Sequence, residues 1–77
     1  MKLTIKYFGL IAEITNCSEE QIEFSGKTVM ELKEQLFQKY EALKNKDFQI
    51  AQDNELVENE TEIIGIEIAL LPPFAGG

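Results

Sequence analysis

The residues best suited to chemistry in this chain lie at its C-terminal end. After an apolar segment that ends at Leu71, the chain continues as Pro72-Pro73 and then Phe74-Ala75-Gly76-Gly77. Proline has no backbone N–H for a β-ladder and its fixed φ favours an extended conformation, so the pair predicts a short, stiff spacer. Gly76 and Gly77 have no Cβ atoms, so the terminal backbone is able to enter a channel too narrow for any other residue.

A bare carboxyl group on such a tail is suited to group transfer. Because a free carboxylate is a poor electrophile, a partner must activate it, for example as an acyl-adenylate made from ATP. A sulfide equivalent can then replace the adenylate and leave a thiocarboxylate, whose sulfur is a good nucleophile. We expect Phe74 to enter a partner's pocket or to fold back on the domain. The alternative interpretation of the whole segment is a frayed terminus without function.

Few other side chains point to catalysis. The chain has no histidine and a single cysteine, Cys17, so it cannot build a Cys–His nucleophilic pair, a Cys/His zinc site or a four-cysteine cluster. We interpret Cys17 as a structural thiol, although a sulfur-handling role stays open. The carboxylates are scattered through segments that resemble solvated surface. The sequence therefore predicts a protein that is not an autonomous enzyme and binds no metal or cofactor itself.

Composition limits the cell compartment and the partners. Hydrophobic residues make up 44% of the chain, which is typical of one folded domain, and no apolar run is long enough to span a bilayer. The N-terminal residues alternate between charged and apolar, unlike a signal peptide, so we expect a cytoplasmic protein. The net charge of −7 disfavours nucleic acid and anionic lipid as partners. It indicates either simple solubility or a basic protein partner.

Alternating apolar residues predict the strands that hold the tail. The predicted strands are residues 2–8, 21–24, 48–51, 56–57 and 66–71, and a single helical turn is predicted around residues 10–14. In the last strand Ile66, Ile68 and Leu70 are assigned to the core face, with Ala69 and Leu71 on the opposite face. Apolar residues on both faces predict a central strand that is buried on both sides.

One helix is predicted after residue 27. Thr28 and Glu31 have the spacing of a capping box, in which each side chain satisfies the other residue's free backbone N–H. An apolar stripe follows at helical spacing, and the helix is expected to end between Tyr40 and Leu43. The stripe consists of Val29, Leu32, Leu36, Phe37 and Tyr40.

The order of these elements predicts an α+β fold. One helix across a mixed sheet of four to five strands, with the last strand parallel to the first, is the ubiquitin-like β-grasp arrangement. Residues 1–71 would form this domain and residues 72–77 an extended tail.

The ending Leu70 to Gly77 resembles the sulfur-carrier small subunits of molybdopterin synthase, whose tails read much like Leu-Pro-Pro-x-x-Gly-Gly. The segments Tyr7 to Glu13, Thr28 to Leu32 and Gly65 to Leu71 also resemble that family. The resemblance implies the β-grasp fold and a complex with a large, catalytic subunit, usually of two small and two large chains.

The resemblance also implies a role for each tail residue. Gly77 would be adenylated by a ubiquitin-activating-like adenylyltransferase that uses ATP, and then thiocarboxylated with sulfur from a donor protein. It would donate this sulfur to cyclic pyranopterin monophosphate and so form the molybdopterin dithiolene. Gly76 would allow a thin tail and Phe74 would line the interface. The other implied tail and partner-binding residues are Leu71, Pro72, Pro73 and Ala75.

The chain departs from the family pattern at two places. The family often has an acidic Asp-Gly-Asp-Glu turn where this chain has Ile64-Gly65-Ile66-Glu67, and often an arginine where this chain has Ala12. Both departures affect expected partner contacts but not the tail. The alternatives are a sulfur carrier for thiamine thiazole synthesis, a ubiquitin-like modifier joined through Gly77, and an interaction domain with an inert tail. The paired prolines followed by an aromatic residue favour molybdopterin synthesis.

Overall fold

Five strands and two helices make up residues 1–73, which are the residues described by a computed structural model. The predictions made for Phe74, Ala75, Gly76 and Gly77 lie outside the described residues. The elements are β1 (Lys2–Tyr7), α1 (Leu10–Thr15), β2 (Glu19–Glu23), α2 (Val29–Lys39), a 3₁₀ turn (Glu41–Asn45), β3 (Gln49–Gln52), β4 (Glu55–Val57) and β5 (Glu67–Leu71).

The strands form one mixed sheet in the order β2-β1-β5-β3-β4. β1 and β5 are parallel neighbours, and the other pairs are antiparallel. β5 is therefore the central strand, as its sequence predicted. This is the ubiquitin-like β-grasp topology, so the predicted fold class is confirmed.

Helix α2 begins at the predicted capping box. The Thr28 hydroxyl accepts a hydrogen bond from the Glu31 backbone N–H at 3.3 Å, and the Glu31 carboxylate accepts one from the Thr28 N–H at 3.0 Å. The helix buries its apolar stripe in the core, but it ends at Lys39 and the chain continues into the 3₁₀ turn. The buried core residues of α2 and of the sheet face beneath it include Leu3, Ile5, Ile22, Val29, Leu32, Leu36, Ile50, Ile68 and Leu70.

A hydrogen-bonded cluster fastens the end of α2 to β1 and β2. The Glu20 carboxylate accepts hydrogen bonds from Tyr7 Oη at 2.6 Å, from Tyr40 Oη at 2.6 Å and from Lys39 Nζ at 2.8 Å. Burial opposes ionisation of Glu20, but the hydrogen bonds from Lys39 and the two tyrosines outweigh it and lower its pKa. Burial and the bond to the carboxylate raise the pKa of both tyrosines.

Two expectations about β5 need correction. Ile66 was assigned to the core face but is 69% exposed, because the strand begins one residue later, at Glu67. Ala69 and Leu71 are only half-buried, so β5 is covered fully on one face and not on both. Apolar character on the second face reflects an open sheet surface, which alternation alone cannot distinguish from a covered one.

Candidate functional site

The open face of the sheet carries an apolar strip beside Pro72 and Pro73. Strand register places Ala69 of β5 beside Ala51 of β3, and Ala51 beside Leu56 of β4. Leu71, two residues further along β5, lies on the same face as Ala69. We call Phe8, Ala51, Leu56, Ala69, Leu71 and Pro72 the apolar strip, because all six line one open groove of about 840 Å³.

The strip contains large side chains that residues 1–73 cover only in part. Phe8 is 44% exposed and Leu56 is 61% exposed. Between them the small side chains of Ala51 and Ala69 form the floor of the groove. Contiguous exposed apolar surface of this kind marks an interaction site more often than isolated apolar residues do.

Sequence reasoning missed Phe8 and Leu56 as site residues. Both were included in predicted strands, but nothing in the local pattern indicated that they share a face with Leu71. They are 48 positions apart in the chain, as the difference between residue numbers 56 and 8 shows. Only the β1–β5–β3–β4 strand order brings them together.

Polar residues border the strip toward the start of β5. Lys6 Nζ lies 3.1 Å from a Glu67 carboxylate oxygen, and both side chains are partly exposed. Such a surface ion pair adds little stability. Because this ion pair lies beside the apolar strip, it offers a partner protein two fixed charges that can set the partner's orientation. The groove is thus mainly apolar with a charged end, which suits protein recognition better than catalysis.

The structure fixes the root of the tail, Pro72-Pro73, against the junction between β1 and α1. The Phe8 N–H donates to the Leu70 carbonyl at 3.2 Å, which continues the parallel pairing to the end of β5. Gly9 follows with a φ of +61°, and a Cβ added there would lie 2.9 Å from Pro72 Cγ. The proline ring therefore packs on bare backbone, and Pro72 and Pro73 directly follow the end of the central strand.

The predicted site residues fall into two groups. Leu71, Pro72 and Pro73 are described and lie together beside the apolar strip. Phe74, Ala75, Gly76 and Gly77 lie outside the described residues. Cys17 is half-buried against the core rather than in the strip.

No helix within residues 1–73 is long and apolar enough to cross a membrane. Within the same residues, no group of three or more cysteine, aspartate or glutamate side chains is arranged to hold a metal ion.

Comparison with known proteins identifies relatives over the whole length of the chain. The model of the ThiS family matches residues 5–77. A protein described as molybdopterin converting factor, subunit 1, from Pyrococcus furiosus is similar at 26% identity and a TM-score of 0.87, over 96% of this chain and 99% of that chain.

Two further structures extend the comparison. A complex of subunits 1 and 2 of molybdopterin-converting factor from Helicobacter pylori contains a chain that is 28% identical, with a TM-score of 0.69 and full coverage of both chains. The small archaeal modifier protein 1 of Haloferax volcanii matches at 21% identity and a TM-score of 0.78, over 95% of this chain and 98% of that chain. This last likeness concerns the fold alone.

Proposed function

The chain belongs to the ThiS family of ubiquitin-like sulfur carriers, and from that premise we propose that its C-terminal Gly77 carries sulfur for molybdopterin synthesis. In this role the chain is the small subunit of molybdopterin synthase, and the large subunit holds most of the reacting groups. The chain itself needs no metal, cofactor or catalytic base.

The observation that carries the proposal is the position of the tail root. Pro72 and Pro73 directly follow the central strand and line the same groove as Phe8 and Leu71. A partner that docks on the apolar strip therefore meets the start of the tail at the edge of its own interface. Recognition of the body and uptake of the carboxyl end become one binding event.

The chemistry proposed for Gly77 proceeds in two stages. An adenylyltransferase partner joins the carboxylate to AMP and releases pyrophosphate from ATP. A sulfide equivalent delivered by a donor protein then displaces AMP to leave a thiocarboxylate. In the second stage the thiocarboxylate sulfur bonds to a carbon of cyclic pyranopterin monophosphate while a C–O bond of that carbon breaks and its oxygen substituent leaves; each of the two dithiolene sulfurs comes from one thiocarboxylated chain. Water then attacks the Gly77 carbonyl, which returns the carboxylate and leaves sulfur on the product. Gly76 and Ala75 keep the tail thin, and Phe74 contacts the large subunit.

Comparison with the two molybdopterin converting factor chains favours this pathway, because both exceed 25% identity and the Helicobacter pylori chain is in complex with a second subunit. By analogy we propose that two small and two large chains assemble. The second candidate is a sulfur carrier for thiamine thiazole synthesis, which the family name favours. Pro72-Pro73 followed by Phe74 argues for the first candidate, as the sequence resemblance implies.

The test is intact-mass spectrometry after incubation with ATP, the activating adenylyltransferase and a sulfur source. We expect one oxygen exchanged for one sulfur at Gly77. The matched control is a chain with one residue appended after Gly77, which should fold normally and show no exchange. A Cys17→Ser chain should still show the exchange, because the exchange takes place at Gly77. Sulfur bound to the Cys17 thiol would instead add one sulfur atom to the mass without loss of oxygen.

Three results would contradict the proposal. An unchanged mass in the wild-type chain would favour an interaction domain with an inert tail, and isopeptide-linked adducts would favour a protein modifier. If the thiocarboxylated chain supplied a thiazole synthase, but not the large molybdopterin synthase subunit, the thiamine pathway would be the correct one.

A further inference from the structure

The net charge of this chain is confined to its second part. All 7 basic residues lie between Lys2 and Lys46, together with 7 of the 14 acidic residues. Residues 47–77 carry the other 7 acidic residues and no basic residue, which accounts for the whole net charge of −7. Strand β4 and the loop that follows it belong to this acidic part and contain Glu55, Glu58, Glu60 and Glu62.

Strand β4 is also an open edge of the sheet. It is the last strand in the sheet order, so one of its sides has no neighbouring strand within residues 1–73. Asp53 and Asn54 both have positive φ and form a two-residue hairpin turn, which makes Gln52 and Glu55 a hydrogen-bonded pair. Because the bonds of an antiparallel ladder alternate, the backbone N–H and C=O of Leu56 point away from β3. These are the groups that an added strand would bind.

A groove runs along this edge on the helix face of the sheet. It has a volume of about 430 Å³ and lies between α2 and the β3–β4 pair. We call it the β4 groove and define it by Val29, Lys33, Phe48, Ile50, Val57 and Glu58. Leu56 borders both the β4 groove and the apolar strip, so the edge of β4 separates the two surfaces.

Helix α2 covers the two edges of the sheet differently. Beside β2, the Gln35 Nε2 donates a hydrogen bond to the Glu23 carbonyl at 2.8 Å, and the cluster around Glu20 fills the space further along. Beside β4, the Lys33 Nζ lies 5.5 Å from the centre of the Phe48 ring, and the β4 groove stays open beyond it. The helix face therefore has room for a side chain of another molecule beside β4.

The side chains of β4 specify what an added strand would carry. Val57 packs against the core, and Leu56 lies on the opposite face. In antiparallel pairing, the residue opposite Leu56 would share its open face, and the residue opposite Val57 would enter the β4 groove. Apolar residues fit these two places, and basic residues fit opposite Glu55 and Glu58 because unlike charges attract across strands. A second copy of this chain would instead bring two acidic parts together.

We propose that β4 and the β4 groove form a docking site for an extended segment of another protein, with the order basic, apolar, apolar, basic. The segment adds to the sheet as a sixth strand. It exchanges two backbone hydrogen bonds with Leu56, places an apolar side chain in the groove over Val57, and pairs its two cations with Glu55 and Glu58. Because Gly77 takes no part, this site is separate from the proposed sulfur chemistry.

The test uses a fluorescein-labelled probe peptide, Gly-Lys-Val-Ile-Lys-Gly with blocked ends, titrated with the full chain and followed by fluorescence anisotropy. The matched control peptide is Gly-Val-Lys-Lys-Ile-Gly, which has the same composition and charge but the wrong order. We expect it to bind at least about fivefold more weakly. In hydrogen-exchange NMR, the Leu56 amide should exchange rapidly in the free chain and become protected when the probe peptide is bound.

Variants of the chain test the charge pairing and the backbone pairing. Glu55→Lys should raise the dissociation constant about fivefold, and a peptide whose last lysine is replaced by glutamate should restore binding to that variant. The matched control is Glu13→Lys on α1, which changes the net charge equally and should bind within about twofold of the wild type. Leu56→Pro removes the outward N–H at a position where an edge strand tolerates proline, so binding should weaken about tenfold or more. A peptide that is N-methylated at its isoleucine removes the matching donor without changing the chain and should bind equally weakly.

The outcomes decide between this inference and its rivals. Equal binding of the two peptides, or equal weakening by Glu13→Lys and Glu55→Lys, would show a general attraction of charge and overturn the inference. An unprotected Leu56 amide, or no binding of the probe peptide at millimolar concentration, would also overturn it. If sedimentation shows a dimer of the chain that Leu56→Pro abolishes, the occupant is a second copy instead. Sulfur loading of Gly77 is measured separately, and its absence would contradict the proposed function but not this inference.

Discussion

Gln52 offers a quantitative test of how the loop before β5 is held. Its side chain is 7% exposed, and its Oε1 accepts hydrogen bonds from the Ile64 N–H at 2.7 Å and the Gly65 N–H at 2.9 Å. Its Nε2 donates to the Glu62 carbonyl at 3.3 Å. A Cβ added at Gly65 would meet the Asp53 carboxylate, so a side chain there would force Asp53 to move. One buried amide thus fixes the backbone of the loop that leads into the central strand.

Gln52→Leu keeps approximately the same volume and removes all three bonds. The Gly65 N–H is buried, so its loss of an acceptor costs about 1–3 kcal/mol. The Ile64 N–H is partly buried and can recruit water, which adds about 0.5–1.5 kcal/mol. We expect the free energy of unfolding to fall by about 1.5–4.5 kcal/mol in total. At about 4–8 °C per kcal/mol for a domain of this size, the melting temperature should fall by at least about 6 °C.

The assay is urea denaturation combined with hydrogen exchange of the loop amides. Gln49→Leu is the matched control, since Gln49 lies on the same strand but is exposed on the open face, and it should change stability by no more than about 0.5 kcal/mol. Gln52→Leu should also leave sulfur loading of Gly77 unchanged, because the loop lies at the opposite end of β5 from the tail. A loss below about 1 kcal/mol, or unchanged protection of the Ile64 and Gly65 amides, would refute this account of the loop.

Three further predictions concern stability. Between about pH 5 and pH 3 the wild type should lose stability more steeply than Glu20→Gln in denaturant titrations. The Glu20 carboxyl has a lowered pKa in the folded state, so it stabilises the fold above its unfolded pKa and loses that contribution as the pH falls. Parallel stability curves for the two proteins would contradict this. Thr28→Ala should lower the free energy of unfolding by about 1 kcal/mol in urea denaturation, and an unchanged midpoint would show that the cap with Glu31 is unimportant. Gly9→Ala should lower the free energy of unfolding by about 1–3 kcal/mol in the same assay, because the φ of Gly9 is positive. Adding Pro72→Ala should recover part of that loss, since it removes the ring that the new Cβ would meet. If the two substitutions change stability in a strictly additive way, the contact between Gly9 and Pro72 is not important.

Local patterns predicted most elements because they depend on neighbouring residues. Alternation located β1 and β5, and the spacing of Thr28 and Glu31 located the start of α2. The boundaries of the helices and strands were predicted less accurately than their existence. The end of α2 at Lys39 depends on where tertiary packing stops favouring the helix, and periodicity does not encode that limit.

The candidate site also contains some residues that the sequence could predict and others that it could not. The sequence could predict a tail because two prolines and two glycines act through their own backbone restrictions, whatever surrounds them, and for Phe74 to Gly77 this stays a prediction. Phe8 and Leu56 could not be assigned to it, because their exposure depends on which strands are neighbours. Ile66 is an error in the opposite direction. Alternation assigned its side chain to the core, but β5 begins at the next residue and Ile66 is exposed.

The sequence by itself determined which chemical groups this protein carries and predicted the order of its elements: it has no histidine, an isolated cysteine, a last strand suited to the centre of the sheet, and a glycine pair behind two prolines. The tertiary structure alone decided that β5 has one open face, that Phe8, Leu56 and Leu71 share that face, and that Pro72 packs on Gly9. The physical reason is that backbone restrictions act within a few residues, whereas exposure of a side chain is set by contacts between segments distant in the chain.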